Sequence, residues 1–190
     1  MGLQNANGDW VDDITDSLLT TDHAHHEIHT GNHWFSNVVD KALANGGKIN
    51  LVFSVDETTD LTHMIMYARS LGTCEIEFYE NPTVGGDGTP VEVQNRRRDM
   101  HGVITGAITA TTGHTSITGG TWLDTSWVGS NGVAGSTGAG NDRASLEILL
   151  KPGFKYAIIL ENISGSSARA LVGGDYYKHN TDWHNKIQGK

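Results

Sequence analysis

The sequence is poor in cysteine, proline, basic residues and long apolar runs, and each shortage closes off a class of protein. The single cysteine, Cys74, cannot form an internal disulfide; inside the run CEIEFYE it is expected to act as a small buried apolar residue. No stretch approaches the roughly 20 apolar residues of a membrane span. Only 13 Lys and Arg stand against 22 Asp and Glu, a formal net charge of −9. With a pI near 5.4, little offsets phosphate charge along the chain, which argues against a general nucleic-acid binder. The opening MGLQNANGDW lacks a basic segment followed by an apolar core, and it lacks the Ser or Thr of a myristoylation signal. A soluble chain made in a cytoplasm is expected. Neither a Gly-rich cofactor fingerprint nor a nucleophile and base pattern occurs, so the residues mark no convincing active site and no cofactor site.

Turn chemistry and alternation are abundant by contrast. The 190 residues suit one domain with a real core, and 24 Gly beside only 3 Pro, with abundant Thr, Ser and Asn, point to short strands joined by many turns. The stretch from Ala144 to Asn162, ASLEILLKPGFKYAIILEN, holds two strand-like runs. Leu146, Ile148 and Leu150 line one face of the first, and Tyr156, Ile158 and Leu160 line one face of the second. A tight hairpin at Pro152-Gly153 would set Glu147 against Ile158 and mix polar with apolar positions on one side. A wider loop, or a crossing between two stacked sheets, fits better.

Further strands are expected at Lys48 to Val55, where Ile49, Leu51, Phe53 and Val55 share a face, at Leu61 to Ala68, and at Cys74 to Glu80. His33-Trp34-Phe35 leads into another. Gly102 to Gly120 reads as two weak strands around Gly113, followed by Thr121 to Val128. Ala168 to Val172 reads as a short last strand.

Several groups invite a functional reading. In residues 1 to 22 the spacing of Trp10, Val11, Ile14 and Leu18 is helical, with Asp9 in the capping position, so this arm is expected to dock on a neighbouring subunit or to pack locally. His23, His25, His26, His29 and His33 crowd a short segment. A metal site there is weighed against a half-buried, hydrogen-bonded strand, and the strand is preferred. Glu75 and Glu77 on one strand face read as a solvated outer surface, not as an acid–base pair. Arg96, Arg97 and Arg98 form the only basic run, suited to a salt-bridging contact with an acidic neighbour or to solvation. Trp122 and Trp127 beside the Gly/Ser loop of 129 to 141 would make a sugar-stacking platform, but their odd spacing puts them on opposite faces of a regular strand.

HEIHTGNHWF at 26 to 35, KINLVFSVDETTDLTHMI at 48 to 65, EIEFYENPTVGGDGTPVEVQNRRR at 75 to 98 and the stretch at 144 to 162 together resemble tailed-bacteriophage virion proteins with a jelly-roll fold, the head decoration or auxiliary capsid proteins. The resemblance covers most of residues 24 to 178 and rests on strands and turns. It implies an all-β, antiparallel jelly-roll-like sandwich over residues 23 to 190 behind the N-terminal arm. It further implies a virion protein without enzymatic activity, commonly an oligomer, with a trimer favoured. The expected partners are the major capsid protein or other virion proteins, with no direct contact to nucleic acid or membrane. The expected subunit contacts are Trp10, Val11, Ile14, Leu18, Arg96, Arg97 and Arg98. The alternative is a glycan-binding module on a tail or fibre using Trp122 and Trp127, and a third reading is a cupin-type metal enzyme using the histidines.

Overall fold

The computed structural model describes residues 3–4, 10–11, 23–58, 62–99, 108–129 and 147–178. Fifteen strands and one helix occur among them, in the order β1 (Leu3–Gln4), β2 (Trp10–Val11), α1 (His23–Thr30), β3 (His33–Leu43), β4 (Lys48–Val55), β5 (Thr62–Ser70) and β6 (Cys74–Glu80). The short strands β7 (Thr83–Gly85), β8 (Thr89–Val91), β9 (Gln94–Asn95), β10 (Ile108–Thr112) and β11 (Ser116–Thr118) come next. The chain then returns through β12 (Thr121–Val128), β13 (Glu147–Leu150), β14 (Lys155–Asn162) and β15 (Ala168–Lys178).

The pairing has a simple rule. β3 pairs with β15, β4 with β14, β5 with β13, β6 with β12, β7 with β11 and β8 with β10, all antiparallel. The chain from 33 to 178 is thus folded as one long hairpin, and its first four rungs, from β3/β15 to β6/β12, are sent to alternating layers. Lateral pairing of β14 with β6, β10 with β4 and β15 with β5 closes these rungs into two sheets, apart from β7 and β11, which form a two-stranded sheet of their own. One has the order β12-β6-β14-β4-β10-β8 and the other β13-β5-β15-β3-β9. This interleaving is the double Greek key of a jelly roll, so the expected fold class holds.

The alternation in the sequence decides which face of each strand is buried. Leu51, Phe53 and Val55 of β4, Ile76 and Phe78 of β6, and Tyr156, Ile158 and Leu160 of β14 face Trp34, Met64, Met66, Val172 and Tyr176 of the other sheet. Each fully buried side chain of this size contributes about 1.5–3 kcal/mol of transfer free energy. Pro152-Gly153 is a crossing between sheets: β13 lies in one and β14 in the other. The loop is pinned where the Tyr156 hydroxyl accepts from Lys151 N at 2.9 Å and the Gly153 N–H donates to Val55 O at 3.1 Å.

Three expectations are corrected. His23, His25, His26 and His29 of the histidine-rich segment lie in α1, not in a half-buried strand, and His33 alone of the five is on a strand, β3. Gly31 (φ 81°) stops the helix in a left-handed cap: Asn32 N donates to Glu27 O at 2.9 Å and Gly31 N to Ile28 O at 3.1 Å. Arg97 Nη1 donates to His29 O at 2.8 Å, so a cation also meets the negative end of the helix. In the arm, Trp10 and Val11 are extended and pair with Gln4 and Leu3, so the helix expected there is absent at those two residues. Aromatic and β-branched side chains favour strand, and a short helix is marginal in water. Ile14 and Leu18 lie outside the described residues, as does the Gly/Ser loop from residue 130.

The third correction concerns the last strand. β15 runs to Lys178 and is central, flanked by β5 and β3. Gly173-Gly174 looks like a break in sequence, yet each glycine makes room for a ring. A Cβ on Gly173 would lie 2.5 Å from Tyr67 Cζ on the outer face, and one on Gly174 2.6 Å from Phe53 Cζ in the core. No helix among the described residues is long and apolar enough to cross a membrane.

Candidate functional site

The outer face of the six-stranded sheet carries the most exposed aromatic side chains among the described residues. β12 is its edge strand and pairs with β6, and register places residues directly opposite one another on the same face. Trp122 lies opposite Tyr79 and Trp127 opposite Glu75, with a shift of register between Trp122 and Asp124. Tyr79 and Glu75 are four residues apart on β6, so they share a face. Trp122 and Trp127 therefore share it too. The irregularity at Leu123 is a β-bulge, which adds one residue to one strand and reverses the facing of the residues beyond it. It cancels the odd spacing that would otherwise separate the two indoles, which is a correction to the sequence reading.

The rest of the surface is set by the ladder. Thr125 is opposite Glu77 and stands between the two tryptophans. Tyr79, Glu77 and Glu75 lie beside Ala157, Ile159 and Glu161 of β14. Lys48 of β4 pairs with Glu161 at 2.8 Å, while Glu75 and Glu77 remain partly exposed, as expected for an outer face. Trp122 is 59% and Trp127 63% exposed. The Trp122 ring is nevertheless held, because its Nε1 donates to Thr125 Oγ1 at 2.8 Å. The Tyr79 hydroxyl donates to Glu77 Oε1 at 3.1 Å; partial burial, then that bond and the neighbouring negative charge, push its acidity down and its pKa up.

A second polar cluster lies on the outer face of the five-stranded sheet. Asp175 accepts from Arg96 Nε at 2.8 Å and also from Arg96 Nη2, and His33 Nε2 stands 3.7 Å from the same oxygen. Burial pushes the Asp175 carboxyl up, but the nearby His33 ring and the Arg96 hydrogen bonds and charge outweigh it and leave its pKa below the usual range. Arg96 also lies over the Phe35 ring, 5.1 Å from its centroid. Arg97 pairs with Asp99 at 2.9 Å and Arg98 Nη1 reaches Asn95 O at 3.5 Å. The basic run thus ties β9 and α1 to the sheet. Farther along the same face, Glu147 Oε1 is shared by His63 Nδ1 at 2.9 Å and by the Tyr177 hydroxyl. The His63 and Tyr177 rings stack at 5.0 Å. No sequence pattern marked this trio, because its members come from β5, β13 and β15.

Among the described residues no group of three or more His, Cys, Asp or Glu side chains is arranged to hold a metal. His29 is exposed on α1 and His33 is buried on β3, so these two histidines of the crowded segment face different surroundings.

No family model matches the chain, and no curated protein matches it. Among solved structures, the crystal structure of Yersinia pseudotuberculosis-derived mitogen is similar over 77% of this chain and 86% of that one, at 11% identity and a TM-score of 0.27. A likeness that low carries no argument; the jelly-roll assignment stands on the strand order.

Proposed function

We propose that this protein is a structural component of a phage virion, a decoration or cement protein that stabilises the head through contacts with the major capsid protein. The observation that carries the reading is a pair of large apolar side chains left in solvent at one end of the sandwich. Leu71 is 67% and Ile163 45% exposed. Their segments are neighbours: Ile163 N donates to Thr73 O at 2.9 Å and Leu71 N to Arg169 O at 2.9 Å. Exposed apolar groups on neighbouring segments offer a surface that another protein can cover. Contacts made only in the assembled shell stabilise it by mass action. The sequence resemblance to jelly-roll virion proteins supports the same reading. Self-association, as a trimer, belongs to the proposal.

The test is occupancy on purified particles that lack this chain. The parent chain should saturate a fixed number of sites and raise the temperature at which particles release their genome. A double variant, Leu71→Asp with Ile163→Asp, should bind at least tenfold more weakly while its own thermal midpoint is unchanged, and removal of residues 2 to 20 should weaken binding further. Equal occupancy by the double variant, or no saturable binding of the parent, overturns the proposal.

A further inference from the structure

We infer that the outer face of the six-stranded sheet binds a neutral, unbranched carbohydrate chain along the edge strand β12, stacking sugar rings on Trp122 and Trp127. This inference is independent of the particle contact at Leu71 and Ile163. It starts from the bulge at Leu123, which places both indoles on one face, opposite Tyr79 and Glu75. At about 3.3 Å per residue the two stacking points are about 13 Å apart along the strand, more than one sugar ring spans. The ligand is therefore a chain.

Two features separate this surface from a protein-docking patch. First, the aromatic groups are interleaved with hydrogen-bonding groups at register positions: Thr125 lies between the tryptophans, and Glu77, Tyr79 and Glu75 run alongside on β6. Aromatic faces take the C–H side of a sugar while carboxylates and hydroxyls accept from its hydroxyl groups, which fixes orientation. Second, Trp122 is oriented before any ligand arrives, since its N–H is already bonded to Thr125. Less side-chain freedom is lost on binding.

Charge sets the class. Glu75, Glu77 and Glu161 share the face with Lys48, which pairs with Glu161, and with Lys155 at the other end of β14. Three carboxylates against two ammonium groups leave the face net negative, and Glu75 and Glu77 lie directly opposite Trp127 and Thr125, which disfavours uronic or sialic acid chains and tolerates neutral hexoses.

The experiment uses the full chain and isothermal titration calorimetry, with intrinsic tryptophan fluorescence in parallel. The probes are unbranched neutral oligosaccharides of glucose, mannose and galactose, and an oligogalacturonate of matching length. Saturable binding to at least one neutral probe is expected, at least tenfold tighter than to the galacturonate, with a change in tryptophan emission. Trp122→Ala and Trp127→Ala should each weaken it at least tenfold. Both residues are exposed, so the fold is retained, and unchanged circular dichroism verifies this. Leu149→Ala, an exposed apolar residue on the other sheet, should bind as the parent does. No saturable binding to any neutral probe, affinity unaltered in both tryptophan variants, or preference for the galacturonate overturns the inference.

Discussion

Arg96 reaches across 79 positions of sequence to Asp175, its Nε donating to Oδ1 at 2.8 Å. That bond fastens the two-residue strand β9 and the segment after it to the central strand β15. Asp175 has a folded-state pKa below its ordinary value. A depressed carboxylate contributes stability above the unfolded value of about 3.9, and the contribution fades as pH falls through the folded pKa. Asp175→Asn should therefore lower stability at neutral pH and flatten the acid limb of a urea-unfolding profile. Arg96→Ala should cost about 1.5–3 kcal/mol at neutral pH, the range for hydrogen bonds to charged groups. An acid limb identical to that of the parent in Asp175→Asn would remove the pair from the account.

Tyr156 gives the matching effect at the alkaline end. Its hydroxyl accepts from Lys151 N and donates to Glu80 Oε2 at 3.1 Å. Burial, with a further contribution from Glu80, pushes its pKa up to about 12. A raised phenol contributes stability that is complete below about pH 10, the unfolded value. It is lost as pH rises through about 12. Tyr156→Phe should cost about 1 kcal/mol at neutral pH for the lost hydrogen bonding and should shift the alkaline unfolding limb, which chemical denaturation between neutral and high pH would measure.

The paired glycines of β15 should respond unequally to the same substitution. Gly174→Ala drives a methyl into the Phe53 ring, which is fully buried and has no room to yield. A cost of about 1–3 kcal/mol is expected for such overpacking. Gly173→Ala meets the Tyr67 ring at a similar distance, but that ring is only partly buried on the outer face and can swing away. Thermal unfolding should rank Gly174→Ala well below Gly173→Ala; equal midpoints would mean the core ring also moves.

Cys74 is buried and donates to Ser70 Oγ at 3.0 Å. Burial pushes its thiol pKa up, and the Ser70 bond only partly opposes this. A thiol reagent at neutral pH should therefore label it only as fast as the native state opens, with the rate rising in urea alongside the unfolded fraction. Rapid labelling of the native protein would contradict this placement.

The strands of the sandwich were legible because each needs only local information. KINLVFSV and KYAIILEN alternate, and β4 and β14 bury the sides that alternation marks. The mismatch of faces across Pro152-Gly153 even announced the crossing between sheets. Legibility ended where a distant partner overrode a local signal. Gly173-Gly174 looks like a terminator until Tyr67 and Phe53 are set against it. The histidines of α1 form a helix that is capped through Arg97, 68 residues away from His29.

Residue order alone settled the binary pattern of this protein, hence its antiparallel layers and its buried faces, because side-chain alternation is fixed at two residues per repeat. Tertiary structure alone decided the phase of Trp122 relative to Trp127 and the pairing of Arg96 with Asp175. A bulge exists only with respect to the strand it opposes, and an ion pair only once folding brings its members together.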